Sequence, residues 1–210
     1  MEKIDELKKK TWETIIILLD TKDVFNYCKY LYIPQTQEES ELANTNIHIR
    51  IIRFTLYKQT IIELSKLLSS SDNDKFRISK YIDALKSDGY YGDLKFPREK
   101  IKQYEKDFES VNSIVTDILM LRNKFYAHTE RILTYANQMY YSDFYLFIAP
   151  PLLEKLIKIL TNIFIEVYFY LFDSDLDLSI SSDNDKITIL SDMVAIRKIE
   201  HQKLLDEFKK

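Results

Sequence analysis

Three histidines, one cysteine and seven arginines are the residues in this chain best equipped for chemistry. His48, His128 and His201 stand far apart, none lies in an H-E-x-x-H run, and no glutamate precedes any of them by three positions. The ligand spacings of zinc enzymes and of di-iron helical bundles are therefore missing, and a metal-dependent bundle enzyme is disfavoured. Cys28 alone cannot make an internal disulfide or a cysteine-rich zinc site. His201, among Glu200, Gln202 and Lys203, reads as a solvated residue; His48 could face a groove with Arg50 or Arg53, but reads better as a partly buried helix histidine. His128 differs in its company, Leu121-Arg122-Asn123-Lys124-Phe125-Tyr126-Ala127-His128. An imidazole titrating near neutrality can move a proton, and a guanidinium can hold phosphate through a two-pronged fork. RNA carries its own nucleophile, the 2′-hydroxyl, so one base and one cation can cleave it to a cyclic phosphate without a metal or any other cofactor. In that chemistry Arg122 and His128 are the catalytic candidates. Asn123 and Lys124 are candidates for holding substrate, and Tyr126 for stacking on a base.

Geometry constrains the pairing. On an unbroken helix six positions are about 240° of rotation and about 9 Å of rise, so Arg122 and His128 point in different directions. To act together they need a helix end, a bend or a second chain. The two groups also have a plainer use, with Arg122 complementing the C-terminal end of its helix and His128 capping the last carbonyls.

The elements that must position them are helical. With 2 Gly and 4 Pro, the chain has too little turn chemistry for a many-stranded sandwich or barrel, and Gly-rich phosphate loops are absent. Apolar periodicity predicts helices at 5–19, 22–32, 38–68, 77–86, 98–128, 150–172 and 187–208. The helix over 98–128 carries its inward stripe at Ile101, Tyr104, Phe108, Val111, Val115, Ile118 and Leu119. The apolar 150–172 segment is interrupted by Glu154, Lys155, Lys158 and Glu166, which fits a bundle core or dimer face better than a membrane span. Residues 140–149 are ambiguous. The hexapeptide Ser-Ser-Asp-Asn-Asp-Lys recurs at 70–75 and 181–186; without the glycine and distal glutamate of a calcium loop, both copies read as capping turns. The expected architecture is an all-α up-and-down bundle of about five to seven helices. Its parts are an N-terminal helical extension (1–45), the bundle proper (46–172), and a loop with a C-terminal amphipathic helix packed on the same domain (173–210).

Charge limits the partners. The balance of 30 basic against 33 acidic residues gives a net charge of −3, so contact with nucleic acid must be local rather than a coat over the surface. We count 23 Lys against 7 Arg, and 27 Ile against 6 Ala, a bias that marks each retained arginine as a position where the planar fork matters: Arg50, Arg53, Arg77, Arg98, Arg122, Arg131 and Arg197. The charged first ten residues lack the apolar run of a signal peptide, and a cytoplasmic location is expected.

The run Arg122-Asn123-Lys124-x-x-Ala127-His128, at the end of a long helix in an all-helical chain, resembles the R-[ND]-x-x-x-A-H signature of the HEPN superfamily. It is most similar to the abortive-infection (AbiU-type) branch, which the segment 56–86 also resembles; the resemblance spans roughly residues 50–172. It implies a helical bundle paired about a two-fold axis, so that two copies of the motif share one cleft and the partner completes the site. It further implies metal-independent endoribonuclease activity within toxin–antitoxin or phage-defence systems, RNA as substrate, and an antitoxin or regulatory protein as a further partner. Arg122 would bind phosphate, His128 would transfer the proton, and Asn123 is the polar residue after the arginine. Some superfamily members are binding modules without activity. One branch carries a tyrosine two positions after the histidine as a nucleotidylation target; this chain has Glu130 there.

Overall fold

The computed structural model describes residues 2–69, 75–123, 147–172 and 187–208. These residues are 84% helical and contain no strand, so every layer of the fold is helix on helix. Eight α-helices are described: α1 (Lys3–Tyr32), α2 (Gln37–Thr45), α3 (Ile47–Leu68), α4 (Ile78–Leu85), α5 (Arg98–Glu109), α6 (Asn112–Leu121), α7 (Pro150–Phe172) and α8 (Ile189–Phe208).

The number differs from expectation through one merger and two breaks. Asp20-Thr21 does not divide α1. The Thr21 hydroxyl donates to the Ile17 carbonyl at 2.6 Å and is buried, and neither residue forbids helical backbone. The expected helix over 38–68 is cut at Asn46, whose Oδ1 accepts from the amides of His48 and Ile49 and so starts a new helix. The helix expected over 98–128 is cut at Ser110-Val111. There the Ser110 hydroxyl turns back to the Asp107 carbonyl at 2.7 Å and Val111 leaves helical backbone (φ −118°, ψ 12°). Its inward stripe survives the break: Ile101, Tyr104, Val111, Val115 and Ile118 are buried, with Ile114 and Leu121 added. The repeated hexapeptide, apart from Lys75, and residues 140–146 lie outside the described residues.

α1, α3 and α7 form the centre. Leu7, Ile15, Leu18 and Phe25 of α1 pack in one cluster with Ile61, Leu64 and Leu67 of α3 and Leu153, Leu160, Phe164 and Val167 of α7. α1, which falls within residues 1–45, thus contributes fully buried side chains to the same core. α7 is buried along one side, while Leu152, Phe169 and Tyr170 stay exposed; among the described residues no helix is long and apolar enough to cross a membrane.

α1 and α7 run antiparallel, since Lys29 meets Glu154 at one end and Trp12 meets Tyr168 near the other. α5 is also antiparallel to α7: Phe96 packs on Tyr170 just before α5 begins, and the Tyr104 hydroxyl donates to Glu166 at 2.8 Å. α6 packs on α3 and α7. α8 attaches by its first turns. Leu190 is buried with Leu31, Leu42, Ala43 and Ile49, and its amide donates to the Tyr30 hydroxyl at 3.0 Å.

The two glycines mark close approach at the opposite end of the bundle. A Cβ on Gly89 would lie 2.3 Å from the Asp83 carbonyl oxygen, and one on Gly92 2.4 Å from that of Ser87, so neither site accepts a side chain without moving backbone.

Candidate functional site

α6 delivers the candidate motif. Ile114, Val115, Ile118 and Leu121 anchor it, and beyond Leu121 the chain keeps right-handed helical backbone at Arg122 (φ −59°, ψ −49°). The Arg122 amide donates to the carbonyls of both Ile118 and Leu119, and the helix widens into a π-type turn through Arg122 and Asn123. Both side chains are exposed, and the Arg122 guanidinium donates from one terminal nitrogen to Asn123 Oδ1 at 2.8 Å. A guanidinium has five N–H donors, so this bond fixes the group while leaving most of its fork for an anion. The structure brings these two candidates together. Lys124, Tyr126 and His128 lie outside the described residues, as does Arg131.

The other chemically capable residues are placed as follows. His201 is exposed on α8, as a solvated residue would be. His48 is exposed on α3 and not partly buried as expected, because it sits in the first turn beside the Asn46 cap with its neighbour Ile49 facing the core. Cys28 is fully buried, and burial pushes its thiol up to about 12, so it is not a nucleophile at neutral pH. Among the described residues no three His, Cys, Asp or Glu side chains converge as a metal site would need. Arg77 Nε donates to Ser79 Oγ at 2.7 Å, and Arg98 reaches Ser87 Oγ at 3.5 Å.

A second cluster, which sequence periodicity does not single out, sits where the chain re-enters α7. The Ile148 amide donates to the Tyr57 hydroxyl at 2.9 Å, both residues being buried, and Phe147 stacks on the Tyr57 ring (centroids 5.0 Å, 25°). Tyr32, at the end of α1, closes the group with centroids 5.1 Å from Phe147 and 5.9 Å from Tyr57. Arg53 lies over the Tyr32 ring at 4.8 Å and donates to Asn44 Oδ1 at 3.2 Å. Burial holds the Tyr32 phenol up at about 12, so it stays neutral and is a suitable face for a cation. Arg53 was marked by its residue type; Tyr57, one turn further along the same helix face, was not.

No family model matches the chain, and neither the curated proteins nor the solved structures compared with it contain a match.

Proposed function

We propose that the chain is a HEPN-type, metal-independent endoribonuclease that works as a homodimer in a toxin or phage-defence (abortive-infection) role. The observation that carries the reading is the Arg-Asn-x-x-x-Ala-His run starting where a helix of an all-α bundle ends, with Arg122 exposed and its guanidinium oriented by Asn123. In the cleavage step His128 takes the proton from a ribose 2′-hydroxyl, and the 2′ oxygen attacks the adjacent phosphorus. The bond to the 5′ oxygen breaks, leaving a 2′,3′-cyclic phosphate and a 5′-hydroxyl. The partner subunit's His128, entering as imidazolium, protonates the departing oxygen, and Arg122 neutralises the charge that grows on the phosphoryl oxygens. An exposed Arg122 suits this role, because buried among apolar side chains it could not meet a backbone phosphate.

The second reading is a helical module of the same fold that binds RNA or a protein without cleaving it. The exposed Arg122 guanidinium, oriented by Asn123, serves this reading equally, since it can hold a phosphate or carboxylate without any proton transfer. Purified protein incubated with mixed RNA in EDTA separates the two. The nuclease reading expects cleavage by the wild type and its loss in Arg122→Ala and in His128→Ala; equal residual cleavage by all three refutes it, and binding without cleavage selects the second.

A further inference from the structure

α3 changes character along its length. The row Arg50, Arg53, Tyr57, Ile61, Leu64, Leu68 advances by three or four residues and so occupies one face of the helix. In its second half this face is core, with Ile61 and Leu64 fully buried and Leu68 4% exposed. In its first half the same face carries two half-buried arginines. An apolar stripe that turns to half-buried arginine brings fixed positive charge to the surface of the bundle, where an anion can meet it. The charge is also local. Between Glu41 and Glu63 the chain has no acidic residue, yet it holds Arg50, Arg53 and Lys58 in a protein of net charge −3.

The aromatic group stands beside Arg53, one turn along the same face from Arg50. Phe147 has Tyr57 stacked on its ring and Tyr32 tilted against it, yet 49% of its surface remains exposed. Arg53, over the other ring of the group, joins the cation to the aromatic surface. A flat exposed ring backed by rigid neighbours, next to fork-shaped cations, fits a ligand with flat bases and a phosphodiester backbone.

We infer that Tyr32, Tyr57 and Phe147, with Arg50 and Arg53, form a binding platform for single-stranded RNA, Phe147 stacking on a base and the arginines taking flanking phosphates. The inference rests on the proposed ribonuclease reading for its choice of RNA, and it assigns that enzyme a binding surface outside its motif.

The test is fluorescence anisotropy with a labelled single-stranded 2′-O-methyl oligouridylate, which cannot be cleaved, and with the same backbone carrying abasic positions. Stacking of one base predicts that Phe147→Leu weakens oligouridylate binding by about tenfold or more and leaves binding of the abasic strand unchanged. Arg53→Gln weakens both probes and lowers the slope of log affinity against log salt by about one, whereas Arg53→Lys keeps the slope. Melting curves verify that each variant is folded, and the two Arg53 variants carry the test should Phe147→Leu fail to fold. Wild-type protein that binds neither probe at low salt, or folded variants that bind as the wild type does, would overturn the platform. Because neither probe can be cut, loss of cleavage without loss of binding overturns the nuclease reading alone, and unaltered binding by folded Arg53 and Phe147 variants overturns the platform alone.

Discussion

Replacing Tyr57 by Phe tests whether one hydroxyl fixes the point at which the chain enters α7. The substitution removes a single oxygen and keeps the ring that packs on Phe147 and Tyr32, so no apolar surface is lost. What goes is the acceptor for the Ile148 amide, 2.9 Å away, in a site where Tyr57 is 3% and Ile148 4% exposed. The return bond, from the hydroxyl to the Ile148 carbonyl, is 3.5 Å long and contributes little. A buried N–H left without an acceptor costs about 1–3 kcal/mol. For a chain of this length each kcal/mol lowers Tm by about 2–4 °C, so Tyr57→Phe is expected to melt about 2–12 °C below the wild type. Tyr170→Phe is the control. Its hydroxyl donates to the carbonyls of Leu94 and Lys95 at 3.2 and 3.3 Å, but Tyr170 is 43% exposed and water can replace it. Its loss should cost about 0.5 kcal/mol or less. Thermal melts and urea titrations followed by circular dichroism measure both, with an unchanged m-value as the sign that only stability moved. A Tyr57→Phe protein within about 0.5 kcal/mol of the wild type refutes the claim that this amide depends on this hydroxyl.

Thr36 and Glu39 form a reciprocal cap on α2, the Thr36 hydroxyl accepting from the Glu39 amide and the Glu39 carboxylate from the amides of Gln35 and Thr36; Thr36→Ala should cost about 0.5–2 kcal/mol in urea titrations. Gly89→Ala puts a methyl group against the Asp83 and Ala84 carbonyls and should cost about 1–3 kcal/mol, and an unchanged melt would show that the loop yields freely. Cys28 gives a pH dependence whose sign follows from burial. Its folded value, about 12, lies above the ordinary thiol value, so its contribution is complete below about pH 8.5 and fades as pH rises toward 12, by about 1.4 kcal/mol per pH unit. Subtracting the alkaline stability profile of Cys28→Val from that of the wild type isolates this slope; rapid alkylation of the folded protein by iodoacetamide at neutral pH would contradict it.

The helical class was legible because 3.6-residue periodicity survives wherever one face is buried, and α7 kept its expected bounds of Pro150 to Phe172. Breaks were less legible, since they depend on side-chain bonds that composition does not reveal. Asp20-Thr21 and Asn46 are equally polar to a reader of sequence. One sits inside α1 because Thr21 satisfies itself on Ile17, while the other starts α3 because Asn46 takes two amides. Of the candidate site, the exposed Arg122 and its neighbour Asn123 were visible from residue type and order. The Tyr32–Tyr57–Phe147 group was not, because it joins residues from three distant stretches of chain, and no local pattern encodes their meeting.

The two ends of the bundle answer different questions. One end holds Gly89, Gly92, Tyr170 and the start of α5, and its contacts tie loops to helix ends. The other holds the end of α1, the first turns of α3 and the start of α7, where the chain places cations on a face that elsewhere is core. If recognition of RNA belongs to the second end, the effects of substitution must divide by position rather than by size. Gly89→Ala, compared at a temperature where it remains folded, should bind oligouridylate like the wild type despite its lost stability. Tyr57→Phe should weaken binding beyond the fraction unfolded, because Phe147 is held in place through Ile148. Anisotropy titrations at two temperatures below both melting points separate the contributions. Binding that tracks only the folded fraction in both variants means the aromatic group serves packing alone.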